Sequence, residues 1–423
     1  MKGKKGLCLL LTTAILSGAS ACGTVGNEIK TGSKGSEKET AVFSDEKTGD
    51  ITTATADFSI NLLKQVILAR EGAEGIIISP VSVMCSLALA ESGASGKTLE
   101  ELEQVLGGGM SAKQYRRGLY DFLQTCKKAS DSQFLSEQSI WINGDVKRKL
   151  QPEFLSNNNE WTNALLTVLP FDENASDAIN DWVRKNTGGE IIKLVEQIPE
   201  DAAMYAVDAT RFEGAWEEPY GTVQVIEDQT FYTADGRERA VTMLSGTQPY
   251  YVHLKGGFGF VKSYEGGVFD FVAILPPKDM PIQDYLDSIT GNDIMDAYKN
   301  RKNDKIVYTQ MPEAAFAFEH SLNIPLQAMG IQHAFSQDSG FEGIFSDHSP
   351  VWISQVLHKV NFELDRNGTK AASATVVEML ETASKEESRE VLELILDRPF
   401  LFEIVETSSG IPVFLGLASD IAE

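Results

Sequence analysis

The sequence predicts a single large α+β domain, because helical and strand-like patterns occupy different parts of the chain. Apolar residues recur at helical spacing in the first half, whereas strand-like runs dominate after about residue 204. Helices that precede a series of strands are typical of an α+β fold rather than of alternating βαβ units. With 423 residues, 42% of them hydrophobic, the chain can bury one large core.

Helices are predicted in four places. Apolar side chains recur at helical spacing over residues 58–67 and again over residues 83–90, after Ser79-Pro80. Thr98 and Glu101 form a T-x-x-E pattern, which predicts a capping box that opens a helix over residues 99–106. Residues 177–193 predict a further helix that frays at Gly188-Gly189.

Strands dominate the second half of the sequence. Runs rich in β-branched and aromatic residues, bounded by turn residues, predict strands at residues 204–212, 269–275, 359–364, 400–405 and 413–417. A short helical segment is expected at residues 322–329.

The N-terminal residues 1–21 have the pattern of a secretory signal. Three lysines precede an apolar stretch, and small residues end the segment. Two interpretations share one cleavage site after Ala21: an A-x-A signal-peptidase site, or a lipobox that leaves Cys22 for lipidation. A bacterial lipobox usually has Leu where this chain has Ala19. We expect a lipoprotein held at the outer face of the cell membrane through Cys22, with a freely secreted protein as the alternative.

Residues 22–50 are rich in Gly, Ser, Thr, Lys and Glu and contain few apolar side chains. Such a composition buries too little surface to fold, so this segment is expected to be a disordered tether. It would separate the signal, residues 1–21, from a single folded domain at residues 51–423.

The charge of the chain excludes polyanions as main partners. The formal net charge is −24, and it becomes −27 when three lysines leave with the signal. Proteins that bind nucleic acid need an excess of Lys and Arg, so neither nucleic acid nor heparin is an expected partner.

Known catalytic and metal-binding motifs are missing from the folded part of the sequence. It contains no G-x-S-x-G, no C-x-x-C and no H-E-x-x-H, and residues 93–98 lack the first glycine of a phosphate-binding loop. We therefore expect no cofactor, no metal and no enzymatic activity. Cys85 and Cys126 lie in apolar, helix-like surroundings, which favours buried thiols.

Four motifs and a closing segment carry a resemblance to a known family. They are Ile78-Ser79-Pro80-Val81-Ser82 with residues 93–98, Asn180-Asp181-Trp182-Val183, Phe212-Glu213-Gly214-Ala215-Trp216, residues 358–360 leading into 365–374, and Pro399-Phe400-Leu401-Phe402 with Phe414-Leu415-Gly416. In this order and spacing the chain resembles the serpins from about residue 58 to residue 418. The resemblance implies three β-sheets, about eight or nine helices, and an exposed reactive-centre loop that inserts into the central sheet after cleavage.

By this resemblance, the loop begins with a hinge made of Gly368, Thr369, Lys370, Ala371, Ala372, Ser373, Ala374 and Thr375. An inserted strand needs every backbone N–H and one face free of charge. Residues 369–380 contain no proline, and their two charges, Lys370 and Glu378, both fall on the even-numbered face. The segment is therefore suited to insertion, while a plain linker or a short helix is the alternative.

The resemblance implies a monomeric inhibitor that traps serine proteases as a suicide substrate, with cysteine proteases as further targets. Counting from Gly368 places the reactive bond at Thr382-Ala383, but the downstream segment is longer than usual, so Met379, Leu380 and Lys385 stay open. Cleavage after Met379, Leu380 or Thr382 would suit elastase-, subtilisin- or chymotrypsin-like enzymes. The alternative function is a non-inhibitory binding or cell-surface interaction protein on the same fold.

A further set of residues matches the polar cluster at which the central sheet of serpins opens: Ser79, Ser82, Asp208, Trp216 and His358. The family usually has Asn where this chain has Asp208. A carboxylate beside His358 would favour the charged imidazole and couple sheet opening to pH. The alternatives are a neutral hydrogen-bonded pair and an Asp208 side chain that points elsewhere.

Overall fold

A computed structural model describes residues 27–30, 50–70, 75–128, 132–162, 164–189, 191–199, 201–369 and 389–421. Within these ranges the α-helices are α1 (Ile51–Ala69), α2 (Pro80–Glu91), α3 (Gly96–Gly107), α4 (Ala112–Cys126), α5 (Pro152–Asn159), α6 (Ala175–Asn186), α7 (Ile282–Asp287), α8 (Gly291–Lys299) and α9 (Asn323–Ala328). Single 3₁₀ turns occur at Thr222–Gln224 and His333–Phe335.

Most of the described strands begin at or after residue 204, as the sequence predicts, although four strands lie among the early helices and three helices lie among the later strands. The strands are β1 (Asn27–Lys30), β2 (Ile76–Ile78), β3 (Ser132–Asn143), β4 (Leu165–Leu169), β5 (Met204–Ala215), β6 (Val225–Tyr232), β7 (Glu238–Gln248), β8 (Tyr250–Leu254), β9 (Gly257–Ser263), β10 (Phe269–Leu275), β11 (Ile306–Pro312), β12 (Ala314–Ser321), β13 (Ile353–Asp365), β14 (Gly368–Thr369), β15 (Val391–Ile395), β16 (Phe400–Glu406) and β17 (Pro412–Ala418).

Three sheets organise the described residues, which confirms the predicted α+β class. The main sheet has the order β1-β4-β3-β5-β14-β13-β12. The second sheet has the order β2-β17-β16-β10-β9-β8, and the third has the order β15-β11-β7-β6. Most neighbours are antiparallel, but three pairs are parallel: β13 with β5, β3 with β4, and β11 with β15.

The hydrophobic core lies between the main sheet and the second sheet. Phe316 on β12 and Phe362 on β13 face Phe402 on β16, with ring centroids 5.2 and 5.4 Å from that of Phe402. All residues of α2 are buried, and this helix contacts both β3 and β5. The core therefore holds α2 directly against the centre of the main sheet.

Two predictions about helix ends were wrong. Helix α3 begins at Gly96 rather than at residue 99, and Thr98 and Glu101 do not form a capping box. Thr98 Oγ1 accepts the N–H of Gly340, and the Glu101 carboxylate accepts the N–H groups of Gln332 and His333. Helix α6 ends at Asn186, before the two glycines, so the helix does not continue to residue 193.

Part of the segment expected to be a tether, residues 27–30, is described as a strand. Residues 27–30 pair antiparallel with β4, with Asn27 opposite Val168 and Lys30 opposite Leu165. An exposed sheet edge offers unpaired N–H and C=O groups, which even a polar segment can satisfy. The composition of residues 22–50 excludes a core but does not exclude this kind of backbone pairing.

Cys85 and Cys126 are buried and unpaired. Burial raises the pKa of Cys85 to about 12, so its thiol stays protonated and unreactive at neutral pH.

Among the described residues, no helix is both long enough and apolar enough to cross a bilayer.

The carboxyl group of Glu403, in the middle of β16, generates a stability prediction. Glu403 is 2% exposed, and neither of its oxygens has a hydrogen-bond partner among the described residues. Burial raises the pKa of Glu403 to about 8. Because this exceeds the unfolded value of 4.5, the folded state loses stability as pH rises from 4.5 towards 8, by about 1.4 kcal/mol per unit.

Replacing Glu403 with Gln should therefore raise the melting temperature at pH 7 and flatten its pH dependence between pH 5 and 8. Thermal unfolding followed by circular dichroism checks this. Glu406→Gln is the matched control, because the Glu406 carboxylate accepts hydrogen bonds from Ser408 and Ser409. That control should lower the melting temperature, and a fall for Glu403→Gln as well would contradict the prediction.

Candidate functional site

The candidate site is the place where β5 and β13 separate in the main sheet. The two strands pair over Met204–Val207 and Ile353–Leu357. At the other end, β14 lies between them, with Gly368 opposite Ala215 and Thr369 opposite Leu364 and Gly214. The first two residues of the hinge are thus already inserted between the two strands.

Asp208 and His358 bridge the strands at the first position beyond this pairing. Nδ1 of His358 lies 2.8 and 2.9 Å from the two carboxylate oxygens of Asp208. The backbone N–H of Ser79, the residue that precedes α2, donates to Nε2 of His358 at 3.0 Å. One imidazole therefore connects β13 to both β5 and α2.

Hydroxyl groups complete the surroundings of the Asp208 carboxylate. Ser82 and Thr210 donate to Oδ1 of Asp208 at 3.0 and 3.2 Å, and their hydroxyls also contact each other. Ser136 on β3 donates to Ser82 at 3.1 Å. All groups that contact the carboxylate are donors, which is the arrangement that a buried anion requires.

The hydrogen bonds assign the tautomer of His358. Nε2 accepts the Ser79 N–H, so its lone pair faces α2, and the ring proton lies on Nδ1 against Asp208. A second proton on Nε2 would place two N–H donors face to face. Both side chains have no exposed surface. One of the alternatives left open by the sequence, that the Asp208 side chain points away from His358, is therefore wrong.

Trp216 lies at the hinge end of β5, away from this polar cluster. Its ring is fully buried and stacks on Tyr264 at 4.4 Å, and its Nε1–H donates to the carbonyl of Asp365 at 3.0 Å. The hydroxyls of Tyr264 and Thr369 lie 2.5 Å apart. Trp216 and Tyr264 thus hold the point at which the hinge enters the sheet.

The structure brings together Ser79, Ser82, Asp208 and His358, and it places Gly368 and Thr369 in the sheet. The remaining predicted positions lie outside the described residues: Cys22, Lys370, Ala371, Ala372, Ser373, Ala374, Thr375, Met379, Leu380, Thr382, Ala383 and Lys385.

Three residues of the site, Thr210, Ser136 and Tyr264, were not among those predicted from the sequence. Thr210 follows Asp208 by two residues on a strand, so period-two alternation places both on the same face and could have identified it. Ser136 is opposite Thr210 on β3, which only the strand register reveals. Tyr264 meets the hinge from the second sheet, and no local pattern indicates that contact.

A domain of three sheets, with a hinge strand held between two strands of the main sheet, has the architecture of a serpin. The family model described as serpin (serine protease inhibitor) matches residues 53–421, and the chain belongs to this family. Its members are generally inhibitors of serine proteases rather than enzymes.

Known relatives extend over most of the chain. Alpha-1-antiproteinase of Rattus norvegicus is 25% identical over 379 residues, which cover 88% of this chain and 89% of the relative. An alpha-1-antitrypsin-like protein of Ictidomys tridecemlineatus is 28% identical over 371 residues, which cover 85% of this chain and 86% of the relative.

Two solved structures of the thermophilic serpin tengpin, in its native and latent states, differ in how closely their folds match that of this chain. The native state is 29% identical, covers 90% of this chain and 96% of its own, and superposes with a TM-score of 0.82. The latent state is 27% identical, covers 90% of this chain and 100% of its own, and reaches a TM-score of 0.74.

Replacing Asp208 with Asn tests the electrostatic role of this carboxylate. The amide oxygen can still accept the Nδ1 proton of His358, but a neutral acceptor forms weaker hydrogen bonds with His358, Ser82 and Thr210 than a carboxylate does. We expect the variant to melt at a lower temperature than the wild type, measured by differential scanning fluorimetry.

Ser82→Ala is the matched control for this experiment. It removes one donor to Asp208 without changing any charge, so it should also lower the melting temperature, for a loss of about 1–3 kcal/mol. A melting temperature of Asp208→Asn equal to or above that of the wild type would contradict the prediction.

Proposed function

We propose that this protein is a secreted inhibitor that traps serine proteases as a suicide substrate. The observation that carries the proposal is the entry of Gly368 and Thr369 between β5 and β13. The two strands are described as paired with each other only at their opposite ends, over Met204–Val207 and Ile353–Leu357. A loop that continued along this path would add a strand to the main sheet.

The proposed reaction uses the protease's own chemistry. The protease nucleophile attacks the carbonyl carbon of the reactive bond and forms an acyl ester, and the peptide on the C-terminal side leaves with a new amino terminus. Residues from Lys370 onwards then enter the main sheet, and the attached protease moves with them. Insertion before hydrolysis of the ester leaves a covalent complex.

The sequence of the loop supports insertion and indicates a class of target. The odd-numbered side chains between residues 369 and 379 are uncharged and can face the core. A reactive bond at Thr382-Ala383, or after Met379 or Leu380, suits elastase-, subtilisin- or chymotrypsin-like proteases. A net charge near −27 after signal removal would speed encounters with basic proteases at low salt.

We also propose that Cys22 is lipidated and holds the protein at the outer face of a bacterial membrane. Asn27 pairs with Val168, near the end of β4 that is remote from Thr369. The five residues from Cys22 to Asn27 span at most about 17 Å. A lipid at Cys22 would therefore direct the reactive loop away from the membrane.

Partition into a detergent phase tests the anchor. The full chain, produced in bacteria with its signal, should enter the detergent phase of Triton X-114, and Cys22→Ala should shift it to the aqueous phase. Recovery of the wild type in the aqueous phase would contradict lipidation and would leave the inhibitory proposal untouched.

Mixing the protein with an elastase-like protease tests inhibition. A covalent band of the combined mass on a denaturing gel supports it, and sequencing the released fragment identifies the bond. Complete turnover of the loop without that band contradicts it and favours a non-inhibitory binding protein.

Two neighbouring substitutions in the hinge separate insertion from simple cleavage. Thr375→Arg places a charge on the face expected to be buried, so the variant should be cleaved as a substrate with at least about a tenfold loss of covalent complex. Val376→Arg is the matched control on the opposite face and should still trap the protease. Equal behaviour of both variants in the gel assay would contradict the predicted alternation.

A further inference from the structure

Lys262 on β9 is a buried cation with an unusual set of neighbours. Its side chain is 5% exposed overall, and its Nζ donates to the carbonyl of Glu218 at 2.8 Å. Nζ also lies 4.4 Å from the ring centroid of Tyr220 and 5.3 Å from that of Trp216. In the described part of the chain, Lys262 forms no ion pair. A buried ammonium is costly, and the two rings and the Glu218 carbonyl are the groups that compensate it at short range.

The residues that Lys262 contacts also bind the turn before the hinge. The backbone N–H of Trp216 donates to the carbonyl of Asn367 at 2.8 Å, and that of Tyr220 donates to the carbonyl of Arg366 at 2.9 Å. This turn leads directly into Gly368. Residues 216–220, which we call the clamp segment, therefore connect the end of β5 to the base of the reactive loop.

Lys262 fixes the clamp segment to the second sheet. Insertion of the loop separates β5 from β13, whereas β9 belongs to a different sheet and is paired with β8 and β10. A cation held between two rings of the clamp segment opposes movement of that segment away from β9. The contact acts on the hinge only through the clamp segment, because Lys262 itself does not touch residues 366–369 in the described contacts.

We propose that Lys262 is a positioning residue that slows insertion of the reactive loop by holding the clamp segment against the second sheet. The inference rests on the proposed insertion mechanism and adds a residue that controls its rate. The charge of Lys262 is the essential feature, since an uncharged side chain of the same length would fill the same space without attracting the rings.

This contact should depend on pH. Burial lowers the pKa of Lys262 to about 8, and the nearby carboxylates of Glu218 and Glu217 partly oppose that shift. A cavity of about 380 Å³ adjoins Lys262, and the other charged or titratable groups around the lysine and this cavity are Tyr220, Tyr250, Tyr264, Lys305 with its ion-pair partner Glu390, and Arg389.

Three of these neighbours do not change their protonation state between pH 7 and 9. Burial raises the pKa values of Tyr220 and Tyr264 well above their usual range, and the hydrogen bond to Glu390 raises the pKa of Lys305. The cation between the two rings is thus lost as pH rises through about 8, and loop insertion should become faster over that interval.

Incorporation of a synthetic peptide tests the proposal without any protease. The probe is a fluorescent peptide with the sequence of residues 369–382, which would occupy the path of the loop in the main sheet. At pH 7, Lys262→Met should incorporate the peptide about three- to tenfold faster than the wild type, as expected from loss of a buried cation–π contact. The wild-type rate should rise between pH 7 and 9, whereas the rate for Lys262→Arg should not, because Arg stays charged.

Lys305→Met is the matched control. It removes a lysine from the same cavity, but Lys305 pairs with Glu390 and has no described contact with the clamp segment. Its incorporation rate should equal that of the wild type. If Lys262→Met does not fold, the comparison of the wild type with Lys262→Arg across pH still decides the question.

The outcomes separate this inference from the proposed function. Peptide incorporation that is faster in Lys262→Met supports the inference, even if the wild type forms no covalent complex with a protease. Equal rates for the wild type and Lys262→Met, with the same pH profile, overturn it, even if the wild type traps proteases. Failure of the wild type to incorporate the peptide also overturns it, because there would then be no insertion to control.

Discussion

The limited pairing between β5 and β13 is the constraint on which the rest of the structure depends. The strands are paired over Met204–Val207 and Ile353–Leu357, and the hinge enters between their other ends. Backbone N–H and C=O groups in the intervening stretch can be satisfied by an added strand. Under the proposed mechanism, this stretch is where the inserted loop would form its backbone hydrogen bonds.

Entry of the hinge is governed first by backbone fit. Gly368 has a φ of +154°, and a Cβ atom there would lie 2.1 Å from the carbonyl oxygen of Gly214. Any larger residue would collide with the main chain of β5, so this position between the two strands requires a glycine. Thr369 then adds a buried hydrogen bond to Tyr264. The path of the main chain at Gly368 is thus determined by sterics, and the contact of Thr369 with Tyr264 fixes the residue that follows.

Local patterns located five of the seventeen described strands, because alternation and turn residues act over a few positions. The predicted strand at residues 269–275 coincides with β10, and residues 400–405 with nearly all of β16. The capping box failed because the partners of Thr98 and Glu101 lie 231 to 242 residues further along the chain. At the site, family resemblance identified Ser79, Asp208 and His358, whereas Lys262 depends on rings from another segment that no sequence pattern connects to it.

The carboxylate of Asp208, at the point where β5 and β13 separate, should raise the free energy needed to open the main sheet. Asp208 has no exposed surface and takes its donors from β13, α2 and β5 through His358, Ser82 and Thr210. Moving β13 away removes the His358 donor, and a buried anion that loses a donor is destabilised more than a neutral amide in the same place. As the strands separate, either solvent must reach the Asp208 carboxylate, or the His358 side chain must stay in contact with Asp208. Under the proposed mechanism, either requirement would make the separation of β5 from β13 a cooperative step that involves α2, because Ser82 of α2 donates to the same carboxylate.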